Sequence, residues 1–478
     1  MRITFVVKDL PETHRWAVQL TVWQLAPRLG IPFSIVSNEG SATADSVVLL
    51  VGLQEPSNKN FLQLADQRIL EHGAAKSVRH NGTLLWTVGK PDIPGLFAGL
   101  VNLATFSHEK RLPKEDFDSF GRIRSERAPL AGENADCTPL IENNVQEIRS
   151  WLQQLAGRTI PLPDPWGKGR AALVLTHDID GPRLHSSFAL ARSALLGLVR
   201  NDRLERDSFL LGSLTKILSK NDPYWNFENW LSLEDSLGGQ STFFFYARDS
   251  ADRRHPKDPR YDIRQQRYRR ALPAIAASGG EIGLHIPILG CNARAIAAST
   301  ALLQECGATD VLGTRAHYWA IDWRDPFQSW QEIHRGGLSY DLSLTPLKIG
   351  LRNGSVFPLL PLMSDNRLAP QPFTVTSTAI MDAYTFRHET NINAPVLEQA
   401  IADVVRETAR HRGVLVLDWH GRTFSNVGRW RGYLSKFLEI ALPLTNDDGW
   451  RIMTANQLHR AWLEYVKNLW VGPHELGW

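Results

Sequence analysis

Leu173-Val-Leu-Thr-His-Asp-Ile-Asp180 is the stretch on which the fold turns. An apolar run ends in two carboxylates spaced i and i+2, and Gly181-Pro182 then turns the chain. Residues two apart on a β-strand point to the same face. Asp178 and Asp180 should therefore lie side by side at a strand's C-terminal end, where α/β folds carry their chemistry. Two adjacent carboxylates repel unless a metal or a shared proton relieves them. A polar turn in which Asp180 caps the next segment is the competing reading.

Outward from this strand the pattern repeats. Candidate strands cover 171–176, 242–246, 281–285, 310–314, 338–341, 376–381, 414–418 and 451–453, with helical stretches at 268–277, 293–306, 395–411 and 432–442. Such alternation argues for a (β/α) barrel over residues 168–478, with a doubly wound open sheet as the alternative. Residues 183–240 form a long insertion after the first strand, read as a lid or cap. Residues 1–160 read as a small α/β domain, with strands at 3–7, 46–51 and 83–87 and helices at 16–29 and 94–107. It holds no glycine-rich phosphate loop. A helix over 145–155 and Pro161-Leu-Pro-Asp-Pro165 lead into the second domain.

Composition narrows the function. At 478 residues the chain exceeds one ordinary core. Fifty-three Lys and Arg face 50 Asp and Glu with no basic block, which argues against nucleic acid as a partner. Cys137, Cys291 and Cys306 match no zinc ribbon or disulfide framework, which suits a reducing compartment. Ile3–Val7 is apolar for only five residues before Lys8, Asp9 and Glu12, as in a first strand rather than a signal peptide. No apolar run approaches the ~20 residues that span a bilayer. The expectation is a soluble, cytoplasmic protein.

Polar residues recur just after the apolar runs: Asp178 and Asp180, His285, Arg315 and His317, Tyr340-Asp341, Asp382, and His420. On consecutive barrel strands they would converge at one mouth. That set suits metal-assisted hydrolysis. Asp180 and His285 are zinc-type ligands, and a bound divalent metal lowers the pKa of water and polarises a carbonyl. Asp178 would take the water's proton, with Arg315 holding it ionised. His420 would protonate the leaving nitrogen, oriented by Asp382.

These motifs resemble, in order, those of the polysaccharide deacetylases, the NodB-like carbohydrate esterases that remove acetyl groups from sugars. Thr176-His-Asp-Ile-Asp-Gly181 is similar to the family's Thr-Phe-Asp-Asp-Gly motif. His285 matches the first histidine of His-x-x-x-His, Arg315-Ala-His-Tyr318 matches Arg-x-Pro-Tyr, and Leu417-Asp-Trp-His420 matches Leu-x-x-His; Asp382 represents the remaining motif. Asp258-Pro-Arg-Tyr261 and Gly350-Leu-Arg-Asn-Gly354 resemble a bacterial subgroup with an extra N-terminal domain. The resemblance implies a distorted barrel of about seven strands, Asp178 as base and Asp180 as metal ligand. One position departs: the second histidine of the family would fall at Leu289. His317, at a strand end in place of the family's proline, is the candidate third ligand. His177 is a poorer one because alternation turns it away from Asp178 and Asp180.

Aromatic residues beside the motifs, Tyr318, Trp319 and Trp419, are candidate sugar-stacking platforms, and Arg352 is a candidate for an anionic substrate group. The expected function is metal-dependent removal of an acetyl or formyl group from an N-acylated sugar, a precursor of a bacterial surface polysaccharide. The rivals are a metal-free glycoside hydrolase using Asp178 and Asp382 and a non-catalytic sugar-binding or scaffold protein.

Overall fold

A computed structural model of the chain describes residues 1–38, 46–52, 61–70, 75–130, 135–199, 203–218, 221–249, 251–363, 370–386, 393–426, 430–472 and 476. At the N-terminus, β1 (Arg2–Val7), β2 (Phe33–Val36), β3 (Ser46–Val51) and β4 (Phe61–Ala65) form a parallel sheet in the order β2-β1-β3-β4. β5 (Ala75–His80) and β6 (Thr83–Val88) pair as an antiparallel hairpin. Its turn residues Asn81 and Gly82 both take positive φ, 49° and 83°, as a tight two-residue hairpin requires. α1 (Glu12–Leu29), α2 (Ile93–Ala104) and α3 (Leu140–Ala156) cover this region. Sequence reading missed β2, β4 and β5; β5 is half-exposed and carries little apolar signal.

The second sheet is parallel throughout and begins with β7 (Ala171–Ile179), buried along its whole length, as strands covered on both faces must be. β8 (Thr242–Tyr246), β9 (Glu281–Ile286), β10 (Gly313–Ala316) and β11 (Tyr340–Leu344) follow on one side in sequence order. β14 (Val414–Asp418) flanks β7 on the other side. β15 (Trp450–Ile452) shares the β8 edge of β7, pairing with Ala171–Leu173 while β8 takes Thr176–Ile179.

One segment closes the ring. The strand expected at 376–381 is split into β12 (Thr374–Ser377), which pairs with β11, and β13 (Ile380–Met381), which pairs with β14. Thr378 N bonds to Leu344 O and Ala379 N to Val416 O, so the chain crosses from one edge of the sheet to the other. Within this nine-stranded sheet the result is a distorted barrel of seven staves, β12 and β13 together forming one, with β15 as an accessory strand. β10 and β11 start later than expected, at Gly313 and Tyr340. A Cβ on Gly313 would lie 1.7 Å from the Tyr340 ring, so these two strands pair only because Gly313 has no side chain.

Around the barrel lie α7 (Gln266–Ala277), α8 (Ala293–Glu305), α9 (Pro326–Arg335), α10 (Asp382–Thr385), α11 (Pro395–His411), α12 (Tyr433–Thr445) and α13 (Ala455–Leu469). The insertion after β7 supplies α4 (Ser187–Val199), α5 (Arg203–Leu218) and α6 (Phe227–Ser236). A polar seam joins the N-terminal region to the barrel: Arg28 and Glu142, paired at 3.0 Å, both bond to Ser355 Oγ, at 2.9 and 2.7 Å, and Gln24 exchanges hydrogen bonds with Leu360. Among the described residues no helix is long and apolar enough to cross a membrane.

Candidate metal centre and its acid–base groups

Along β7, Thr176, Asp178 and Asp180 fall on one side and His177 on the other. Arg315 Nη1 donates to Thr176 Oγ1 and to Asp178 Oδ1, both at 2.9 Å. His177 is occupied elsewhere, with Nδ1 2.6 Å from Trp419 O and Nε2 2.7 Å from Glu234 Oε1.

Asp180 lies at the centre of the mouth. Its Oδ1 is 3.2 Å from His285 Nε2 and 3.5 Å from His317 Nε2, and its Oδ2 is 3.0 Å from His420 Nε2. The ligand atoms of Asp180, His285 and His317 all lie within 4.8 Å of one another. Each histidine is oriented from behind. His285 Nδ1 donates to Arg315 O at 2.9 Å, and His317 Nδ1 to Asp258 Oδ1 at 3.0 Å. Because a carbonyl or carboxylate oxygen only accepts, Nδ1 carries a proton, and in the neutral ring Nε2 is the ligand atom that faces Asp180. The turn after His317 is strained: Tyr318 and Trp319 take φ of 56° and 51°, a region non-glycine residues seldom enter.

Two observations test whether a cation suits this cluster. Asp180 Oδ1 and His285 Nε2 are buried and have no partner with hydrogen-bond geometry, although native proteins pair most such atoms. Burial disfavours a charged His285, yet Asp178 and Asp180 together lift it above its ordinary value, so the pocket favours positive charge at its centre. Burial holds His317 below its ordinary value, against the pull of Asp180, which leaves it the neutral form that binds metal. One carboxylate and two imidazoles form a zinc-type set, and the residues present fit a divalent ion.

The two flanking groups are held in opposite protonation states. Burial pushes Asp178 up, but Arg315, His285 and His420 outweigh it and hold the carboxyl below its usual range. Burial and Arg422 push His420 down, but Asp382 and Asp180 together outweigh them and hold the ring well above its ordinary value. Asp382 Oδ1 accepts from His420 Nδ1 at 2.6 Å and its Oδ2 from His420 N at 2.8 Å.

Asp258 and Asp418 are two site residues that sequence reasoning did not assign. Asp258 comes from the β8–α7 connection, where no periodicity signals it. Asp418 is fully buried beside Arg315 at 3.1 Å, and burial pushes it up to about 7. Its place two residues before His420, at the end of an apolar strand, could have flagged it by parity. The N-terminal region also reaches the mouth: Phe120 stacks on Tyr318 at 4.4 Å, and the Arg122 guanidinium lies 5.1 Å from the Tyr384 ring and 5.7 Å from that of Trp319.

Two expected substrate residues are placed elsewhere. Trp419 is fully buried, with its indole N–H on Tyr433 O at 3.0 Å. Strand parity sends it to the side opposite Asp418 and His420, and it is a packing residue. Arg352 is also buried. It makes a two-pronged ion pair with Glu109, at 3.1 and 3.0 Å, and lies over Trp323 at 3.6 Å. It ties the barrel to the N-terminal region instead of meeting the mouth. Tyr318 and Trp319 do adjoin His317, though Trp319 is itself buried.

No protein-family model matches the chain, and no curated protein matches its sequence. Among solved structures it is similar to a Mycobacterium smegmatis protein assigned as a polysaccharide deacetylase: 17% identical, TM-score 0.38, covering 63% of this chain and 92% of that one. It is also similar to a 4-alpha-glucanotransferase from Thermococcus litoralis, 12% identical with TM-score 0.34, over 60% of this chain and 40% of that one. A third likeness is to the Xyl-CE4 domain of a multidomain xylanase from the hindgut metagenome of Trinervitermes trinervoides: 11% identical, TM-score 0.28, 61% of this chain and 90% of that one. Likenesses at these identities and scores decide nothing about chemistry, which rests on the cluster's own geometry.

Proposed function

We propose that the chain is a metal-dependent hydrolase that cleaves the amide of an N-acylated sugar, releasing acetate or formate and a free amine. The observation that carries this reading is the orphaned pair of ligand atoms, Asp180 Oδ1 and His285 Nε2, flanked by a carboxylate held ionised and an imidazole held protonated. Asp180, His285 and His317 would hold the ion. When bound, a zinc-type ion supplies Lewis-acid polarisation of the acyl carbonyl and a water of lowered pKa.

The chain's own residues do the proton work. Asp178 accepts the proton of the attacking water while Arg315 keeps it ionised until then. The water oxygen adds to the acyl carbon, the C–N bond breaks, and His420 delivers its Nε2 proton to the departing nitrogen. Asp382 keeps His420 charged and fixes its ring. Asp382 spends both oxygens on His420, which disfavours a glycoside hydrolase pairing it with Asp178. The resemblance of these motifs to those of the polysaccharide deacetylases extends the proposal to a sugar of a bacterial surface-polysaccharide precursor.

Elemental analysis of the protein after incubation with zinc or cobalt tests the reading. We expect about one ion per chain, as a single catalytic zinc site holds, with loss of both metal and amidase activity on N-acetyl sugars in His285→Ala. A wild-type chain that takes up no ion, or hydrolyses such sugars equally well with and without one, would overturn it.

A further inference from the structure

The insertion after β7 is built inside out. α4 and α5 pack as a hairpin, and what they bury is Ser193 and Gly197 from α4 and Glu205, Ser208 and Gly212 from α5. Large apolar side chains face outward instead: Leu195, Leu198, Val199, Leu214, Ile217 and Leu218 are 56–82% exposed. A surface helix in water shows the reverse pattern, with its apolar stripe turned inward.

Contacts within the hairpin explain why the small residues are inside. A Cβ on Gly197 would lie 2.6 Å from Arg206 Cγ, and one on Gly212 would lie 2.7 Å from Leu190 Cδ2, so the helices approach at their glycines. Ser193 Oγ donates to Glu205 Oε2 at 2.8 Å across the seam. Small residues and a polar bond inside, with apolar side chains outside, is how helices pair in an apolar medium. At 13 residues α4 is roughly 20 Å long, short of the ~30 Å hydrocarbon core. Helices of this kind lie in the membrane interface.

The foot of the hairpin fits the headgroups of such a surface. A cleft of roughly 680 Å³ is lined by Arg183, His185, Ser186, Ser187 and Lys216, with Ile217 and Leu218 beside them. Arg183 Nε is buried and has no hydrogen-bond partner. Between Ser187 and Leu218 five basic residues face three acidic ones, a sign suited to an anionic leaflet. Basic and hydroxyl groups next to exposed apolar side chains match a phosphate headgroup and the acyl chains below it. The hairpin opens shortly after Asp180. Leu289, 53% exposed, follows β9 at the same end of the parallel barrel.

We propose that the α4–α5 hairpin docks the chain on an anionic lipid surface, with phosphate headgroups in the cleft at its foot and the barrel mouth facing the leaflet. This goes beyond the hydrolase reading and does not depend on it.

Flotation of the full chain with phosphatidylcholine vesicles, and with vesicles also containing phosphatidylglycerol, tests the proposal. Wild type should float with the mixed vesicles more than with phosphatidylcholine alone. Leu198→Glu with Ile217→Glu, at positions too exposed to disturb folding, should lower partitioning about tenfold or more for each side chain withdrawn from the lipid. Circular dichroism and metal content should not change. Lys216→Gln should weaken binding to the mixed vesicles alone. The proposal fails if wild type floats with neither vesicle or if the double variant floats equally well. It also fails if light scattering shows a wild-type dimer that the double variant dissociates, because a second copy would then cover this face.

Discussion

Glu142 in the seam is buried, and Asp180 in the barrel mouth is 20% exposed with its Oδ1 buried; both carboxylates lie among cationic groups, yet their surroundings treat them differently. Glu142 accepts from Arg28 Nε at 3.0 Å, Ser355 Oγ at 2.7 Å and Val356 N at 3.2 Å. Both of its oxygens are satisfied. Asp180 Oδ1 has two imidazole nitrogens nearby and no hydrogen bond. The seam completes its buried charges and so fixes how the N-terminal region sits on the barrel. The mouth leaves charge incomplete, an arrangement that favours an incoming cation over stability. Burial of a charge thus says little by itself; whether every polar atom is answered separates the structural site from the chemical one.

Substitutions can break this contrast, and the largest effect belongs to the mouth. Asp178→Asn keeps the shape but removes the proposed base, and should lower turnover by roughly 10²–10⁴-fold while urea unfolding and metal content hold steady. A turnover within a few-fold of wild type would remove Asp178 as the base.

Next in size is a pair of carboxylate deletions measured by urea denaturation. Glu142→Ala leaves Arg28 buried and unpaired, and should cost about 3–5 kcal/mol. Asp180→Ala removes a carboxylate whose Oδ1 is unanswered while its Oδ2 meets His420 at 3.0 Å and Arg422 at 3.4 Å, and should cost less than Glu142→Ala while abolishing metal uptake. Equal losses in the two variants would erase the distinction between seam and mouth.

The smallest effect, read as a slope per pH unit, is a pH dependence carried by the seam. His411 Nε2 lies 3.2 Å from Asn143 Oδ1 and links α11 to α3. Burial, helped by Arg410 and Arg149, lowers its pKa from 6.5 to about 3. In the folded chain His411 therefore stays neutral, while in the unfolded chain it takes a proton below its ordinary value. Its contribution is complete above pH 6.5 and shrinks as pH falls toward 3, by up to about 1.4 kcal/mol per pH unit. His411→Gln, which keeps a donor for Asn143, should flatten that part of the stability–pH curve. An unchanged slope would assign the dependence to other groups.

Much of the mouth was legible because it obeys local rules. Thr176, Asp178 and Asp180 share a face of β7 and His177 does not, as strand alternation requires. His285, Arg315, Asp382 and His420 stand at strand ends in sequence order, and a parallel barrel gathers such ends at one side. Trp419 and Arg352 were misplaced for a matching reason. A residue beside a motif in sequence is turned away by that same alternation, and a loop arginine is claimed by whatever carboxylate the fold presents, here Glu109. The hairpin's inversion was not legible either, since leucines at helical spacing read alike whether they face a core or a lipid.

By itself, the sequence determined the strand–helix alternation, the two-residue spacing of the carboxylates and the strand-end placement of the histidines, because these follow from backbone geometry within one element. Only the tertiary structure decided that His317 meets Asp180 and His285 within 4.8 Å, that Asp258 orients it from a distant loop, and that one kinked segment closes the barrel. Those outcomes depend on distances between residues far apart in the chain, set by packing and by which buried polar atoms find partners, and no local pattern encodes them.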